Sequence, residues 1–298
     1  MGKEKKTHAR AHPPVRTSAS RPPHPLTPPS RPAPPPPQQP TPPGGRKATL
    51  AAAPSPPTTP QQQAQQQQQQ LGAPTPADPT FSVRTLSATG PRAFLWPGVL
   101  SAADADALVA VATPRMSPST LALRPGERAE EKAGIRTSDG TFLAPADDPS
   151  GVLAKAVAAA AALTGIPPSH GEAFNLLRYR PGARYEAHYD SFAPDGYGPQ
   201  ASHRIATVLF YLSDVEAGGE TVFPLAGPTG AAHLASRAPI DYQACTGLRV
   251  RPRKGDALLF YSAHPNGSSD LQALHGGCPV ERGEKWVATL WLRDQVAE

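Results

Sequence analysis

Arg204-Ile-Ala-Thr-Val-Leu-Phe-Tyr-Leu212 is a run of β-branched, aromatic and aliphatic side chains uninterrupted by glycine or proline. It reads as a β-strand, because such residues fit a pleated surface. Runs of the same texture lie on both sides of it. Phe174–Tyr179 and Tyr185–Asp190 precede it; Thr221–Phe223, Leu248–Arg251, Ala257–Tyr261 and Lys285–Leu292 follow. Pro-Gly, Gly-Gly, Asn-Gly and Arg-Gly dipeptides punctuate them as turns. Some seven strands preceded by two helices predict a mainly β domain with flanking helices (α+β), a β-sandwich or jelly roll on N-terminal support helices. The connection Ser191–His203, carrying Pro194, Gly196, Gly198 and Pro199, is long for a hairpin and reads as a lid or binding loop.

Upstream of this region Phe94–Val99 reads as a short extended segment. Ser101-Ala-Ala-Asp104 has the form of a capping box and opens a helix through Leu108, Val109 and Val111, which Pro114 and Pro118 stop. Arg124–Asp139 is polar and charged and reads as a loop, expected with Ser191–His203 to form flexible lids. A second helix is expected from about Ser150 to Thr164, with Val152, Val157, Ala160 and Leu163 on its apolar face. Gly165 and Pro167-Pro168 end it.

The chain before Phe81 has another character. It holds just over half of the 40 prolines and the glutamine run Gln65–Gln70, with almost no large apolar side chains. It cannot bury enough surface to offset chain entropy. Residues 1–80 are therefore expected to be a disordered Pro/Gln-rich basic tail with local polyproline II character, and 81–298 the folded domain. Of the 29 Lys/Arg and 24 Asp/Glu, nine and two precede Phe81, leaving 20 against 22 and a net −2 for the domain. The overall +5 thus belongs to the tail, and no basic nucleic-acid footprint is expected on the domain. No apolar stretch approaches the length of a membrane span. Met1-Gly-Lys-Glu-Lys-Lys6 lacks the apolar core of a secretory signal. Two cysteines exclude a disulfide scaffold and a cysteine-rich zinc site.

The chemistry concentrates in Tyr185-Glu-Ala-His188-Tyr-Asp190. In a strand, residues two apart share a face, so His188 and Asp190 can grip one metal from one side. A second histidine from a distant strand would complete a 2-His-1-carboxylate triad, which leaves positions open for non-haem Fe(II) oxygen chemistry. His203, His233, His264 and His275 are the candidates. His275 opens His275-Gly-Gly-Cys-Pro, where glycines permit close approach to a ligand. Ten residues on, Lys285 begins an alternating strand in which Val287, Thr289, Trp291 and Arg293 share its face. An inward lysine needs an anion, and a dicarboxylate supplies one.

Six motifs carry a resemblance. They are Arg136-Thr-Ser-Asp-Gly-Thr-Phe-Leu143, Tyr179-x-Pro-Gly-x-x-Tyr185-x-x-His188-x-Asp190, Arg204–Leu212, Gly218-Gly-Glu-Thr-Val-Phe-Pro224, Lys254-Gly-Asp-Ala-Leu-Leu-Phe260, and His275-Gly-Gly-Cys-Pro-Val followed by Gly283-Glu-Lys-Trp286. In this order, over about Phe94 to Arg293, the chain resembles the prolyl 4-hydroxylase family. The likeness is nearest to the plant and algal type and to the catalytic domain of the collagen enzyme's α subunit. The resemblance implies a double-stranded β-helix. It implies His188, Asp190 and His275 as Fe(II) ligands and Lys285 as the 2-oxoglutarate anchor. Tyr179 and Thr221 would also hold that cosubstrate, while Tyr185, Arg204 and Trp291 would face a proline-rich protein or peptide. It further implies O2 as co-reactant, stimulation by ascorbate, and pairing of Cys245 with Cys278. It points to the endoplasmic reticulum and secretory pathway, although the sequence shows no signal or anchor. Two alternatives keep part of this reading: an oxygenase acting on a non-prolyl target, and a non-catalytic binder of proline-rich peptides.

Overall fold

Side chains alternate along the last strand. Trp286, Ala288, Leu290 and Leu292 pack into one apolar core, while Lys285, Val287, Thr289 and Trp291 line a cavity on the opposite face. The same alternation divides the strand at Arg204–Tyr211: Ala206, Val208 and Phe210 join that core, and Leu209 and Tyr211 join a second one. A sheet buried on both faces separates a structural side from a functional side.

The structure, a computed structural model, describes residues 82–132 and 134–297. The tail expected to be disordered lies outside the described residues. The strands are β1 (Arg84–Ser87), β2 (Ala93–Trp96), β3 (Ser117–Pro118), β4 (Asp139–Leu143), β5 (Phe174–Tyr179), β6 (Tyr185–His188), β7 (Arg204–Tyr211), β8 (Ala217–Gly218), β9 (Thr221–Phe223), β10 (Leu248–Val250), β11 (Ala257–Tyr261), β12 (His275–Gly277), β13 (Val280–Arg282) and β14 (Lys285–Arg293). The helices are α1 (Ala102–Ala112), α2 (Val152–Thr164), the single turn α3 (Pro194–Tyr197) and α4 (Gly227–Ser236). Eight strands form one sheet in the order β1-β2-β11-β7-β14-β5-β4-β3, four form a second in the order β10-β9-β12-β6, and β13 pairs with β8. Every pairing is antiparallel. Residues of both larger sheets, among them Leu177, Tyr211 and Val287 from one and Phe223 and Val250 from the other, meet in a common core. This is the jelly-roll arrangement, with α1 and α2 packed on the outer face of the larger sheet.

The expected helices form as their end signals require. Ser101 Oγ accepts from Asp104 N, and the Asp104 carboxylate accepts from Ser101 N, closing the capping box of α1. Gly165, at φ 72°, ends α2 in the left-handed conformation. The buried face of α2 is Val152, Leu153, Ala156 and Ala160, so Val157 and Leu163 are only partly covered. A helix this rich in alanine has no distinct apolar stripe, and packing against the sheet decides its rotation. The short strands β1, β3 and β8 and the single turn α3 were not expected, and two further stretches depart from the reading. The Arg124–Asp139 loop runs directly into strand β4, and the unassigned stretch after Pro224 contains α4. No helix of the described residues is long and apolar enough to cross a membrane. Cys245 and Cys278 form a disulfide, with Cα atoms 5.6 Å apart.

Candidate active site

Strand β6 ends at His188, and the antiparallel partner β12 begins at His275; the two residues are directly opposite in the register. Asp190 lies two residues past the ladder, so the strand is shorter than expected. The turn nonetheless brings its carboxylate back between the imidazoles. Asp190 Oδ1 is 3.7 Å from His188 Nε2, and Oδ2 is 3.5 Å from His275 Nε2. One donor atom from each of the three residues lies within 4.8 Å of the others. Close approach of β12 to β6 requires Gly276. A Cβ there would meet Tyr185 O at 2.9 Å and the Ala187 backbone at 3.1 Å. The glycine serves the approach of two strands, not of a ligand.

Each imidazole is oriented from behind. His188 Nδ1 lies 2.9 Å from Glu186 O, and His275 Nδ1 lies 3.0 Å from Ala273 O. A carbonyl can only accept, so Nδ1 carries the proton and Nε2 presents its lone pair to the centre, the form a metal requires. Burial, reinforced by the nearby His275, holds the His188 pKa down to about 3, which keeps the ring neutral. Burial disfavours the Asp190 charge, but the surroundings, among them a 2.6 Å hydrogen bond donated by Thr207 Oγ1, outweigh it and hold the carboxyl below its ordinary value. Two imidazoles that present Nε2 and one carboxylate suit a divalent transition metal with vacant positions.

The triad opens into a cavity of about 850 Å³ that Lys285, Tyr179, Thr221, Tyr185, Arg204 and Trp291 also line. Lys285 is 4% exposed, and burial lowers its ammonium to about 8, with Glu220 opposing the shift. Among the described residues it makes no ion pair, Glu220 acting only from beyond contact distance, so the site presents a buried cation with no anion against it. Thr221 shares a hydrogen bond of 2.8 Å with the Tyr211 hydroxyl, and the Tyr179 ring centre lies 5.5 Å from Lys285 Nζ. This combination fits a metal chelated by one end of a dicarboxylate whose other end meets the ammonium.

On the opposite wall the Tyr185 ring stacks on His188 at 3.7 Å, with the Arg136 guanidinium 4.8 Å above it. The Arg204 guanidinium lies 3.8 Å from the Trp291 ring. Glu172 takes its Nε and Nη2 at 2.7 and 2.6 Å. Arg204 is thus at once one half of an ion pair and part of the cavity wall. The two expected lid segments touch at the cavity, where Arg124 lies 5.6 Å from the Tyr197 ring. The other histidines stand apart: His203 is exposed, His233 lies on α4, and His264 lies 3.9 Å from Asp270.

A solved structure with 24% sequence identity, the viral collagen prolyl hydroxylase of Paramecium bursaria Chlorella virus-1 in its 2OG complex, is matched with a TM-score of 0.47 over 67% of this chain and 95% of that one. Residues 174–293 match the 2OG-Fe(II) oxygenase superfamily. Over 205 residues the chain is 45% identical to prolyl 4-hydroxylase 13 of Arabidopsis thaliana, covering 69% of this chain and 72% of the relative. Over 208 residues it is 50% identical to probable prolyl 4-hydroxylase 9 of the same plant, covering 70% of each. The chain belongs to the prolyl 4-hydroxylase family. As a member of that family it is a 2-oxoglutarate-dependent dioxygenase that takes Fe(II) and 2-oxoglutarate. Three side chains that support this prolyl 4-hydroxylase site were given no role from the sequence, although two of them lie in the resemblance motifs: Thr207 behind Asp190, Glu172 behind Arg204, and Arg136 over Tyr185. Only the alternation in β7, which turns Thr207 to the cavity face among apolar neighbours, could have marked one of them.

Proposed function

We propose that His188, Asp190 and His275 hold the iron, that Lys285 receives the distal carboxylate of 2-oxoglutarate, and that the product is 4-hydroxyproline in a peptide lying along Tyr185, Arg204 and Trp291. One observation carries this reading. A His-Asp-His cluster and a buried lysine without a counter-charge line the same cavity. When bound there, iron and 2-oxoglutarate supply an oxidant derived from dioxygen, with succinate and carbon dioxide as by-products.

The protein's own residues do the positioning. The carbonyls of Glu186 and Ala273 fix both imidazole planes, and Thr207 fixes the carboxylate between them. Lys285 sets the cosubstrate's orientation through its far end, beside Tyr179 and Thr221. The Tyr185 ring, stacked on His188, limits how a substrate approaches. An extended polyproline II peptide suits the open side, since it docks with little further loss of chain entropy.

The test is a succinate-release assay with Fe(II), ascorbate and poly-proline-type peptides, paired with mass spectrometry. Release should depend on the peptide, and proline should gain 16 Da. His188→Ala should lose activity by ~10³-fold or more. Lys285→Ala should raise the KM for 2-oxoglutarate by roughly 10- to 100-fold, the loss of a charge-assisted contact. Succinate release with no mass change on proline would assign the enzyme another target.

A further inference from the structure

Asp190 is the member of the triad that no strand holds. His188 ends β6 and His275 opens β12, whereas Asp190 lies in the turn beyond the ladder. Among the described residues its carboxylate has one hydrogen-bond donor, Thr207, whose Oγ1 gives its proton to Oδ2 at 2.6 Å. Thr207 itself has little freedom. It is fully buried in the middle of β7, paired on one side with Phe260 of β11 and on the other with Trp291 of β14. A β-branched residue in a strand is stiff about χ1, so the hydroxyl is a fixed point against which the carboxylate is set. A hydroxyl that donates to a carboxylate at this distance makes a charge-assisted bond, stronger than one between neutral groups.

The two carboxylate oxygens are otherwise alike. Oδ1 lies 3.7 Å from His188 Nε2 and Oδ2 lies 3.5 Å from His275 Nε2, so distance alone does not choose between them as donors to a metal. The hydroxyl breaks that symmetry. With a lone pair of Oδ2 engaged by Thr207, Oδ1 is the freer donor. The difference decides how many positions stay open. Two imidazoles and a single oxygen fill half of an octahedral shell, and a chelating keto acid fills all but one of the positions left. That last position is the one dioxygen needs. A second oxygen from Asp190 would fill it.

We propose that Thr207 is a positioning residue that limits Asp190 to one metal bond and so keeps a coordination position open for dioxygen. The proposal rests on the reading of His188, Asp190 and His275 as the iron site. Thr207 is not part of the cavity wall and acts through Oδ2. Its hydroxyl governs access to the metal, while the ligands themselves govern whether the metal is held.

The experiment removes the hydroxyl in two ways and keeps it in a third. Thr207→Val preserves the branched shape, Thr207→Ala leaves less bulk, and Thr207→Ser retains the donor. Each variant is checked for folding by thermal melt and loaded with Fe(II) and 2-oxoglutarate without oxygen. It is then titrated with nitric oxide, a stand-in for dioxygen that binds ferrous iron, followed by electron paramagnetic resonance. Thr207→Val and Thr207→Ala should bind nitric oxide about 10-fold more weakly, the worth of a hydrogen bond to a charged group. Their KM for dioxygen should rise by a similar factor, while their Kd for 2-oxoglutarate stays within about twofold of wild type. Thr207→Ser should restore nitric oxide binding. Unchanged nitric oxide affinity in a folded variant lacking the hydroxyl overturns the proposal. Equal weakening of nitric oxide and 2-oxoglutarate also overturns it, since general loosening of the site does that. If the wild type takes up no Fe(II), the iron reading falls and the proposal with it. If it takes up Fe(II) and only the Thr207 effects are missing, the iron reading stands alone.

Discussion

The two faces of the eight-stranded sheet are built from alternate residues of the same strands, yet they differ in kind. The helix face, through Phe174, Leu176, Val208, Phe210, Ala288 and Leu290, is apolar throughout and closed by α1 and α2. The cavity face buries Asn175, Thr207, Thr289 and Lys285 among its apolar residues and stays open. Stability is concentrated on one side and reactivity on the other. A single strand such as β14 serves both because its period is two residues.

Three substitutions probe that division. The largest effect is expected on the closed face. Phe174→Ala should cost about 3–5 kcal/mol of stability by denaturant titration, while the KM for 2-oxoglutarate in the remaining folded enzyme stays near wild type. A comparable rise in KM would show the faces to be coupled. On the open face Lys285→Met should do the opposite, abolishing tight binding of 2-oxoglutarate but stabilising the protein without it. Burial lowers Lys285 from 10.5 to about 8. Between those values the unfolded chain binds the extra proton, so wild-type stability should rise from pH 8 towards 10.5. Thermal melts across this window should show the rise in the wild type and its loss in Lys285→Met. The smallest effect belongs to the margin of the helix layer. Ser101→Ala should cost about 1 kcal/mol by removing the cap of α1, with no change in peptide KM.

The sequence made the ladder residues plain because strand texture is local. β5, β9 and β11 have the bounds their composition predicts. It did not mark β4, whose Asp-Gly-Thr start disfavours a strand and which forms because β5 supplies the pairing. Nor did it mark α4, which opens Gly-Pro-Thr-Gly and depends on the contact of Gly230 with the Leu225 backbone. At the site, the spacing of His188 and Asp190 was visible, but the choice among four histidines was not readable from spacing alone. The motif resemblance pointed to His275, and the geometry that brings it to the pair is a property of the β6–β12 register. Thr207 and Glu172 drew no role from the sequence for a related reason: their importance lies in what they touch, the Asp190 carboxylate and the Arg204 guanidinium.

The approach of β12 to β6 has a consequence for descent. The spacing of the two imidazoles depends on one missing methyl, at residue 276, and every single-base path away from glycine adds at least that carbon. Any side chain at this position pushes the two strands apart, and with them the two rings they carry.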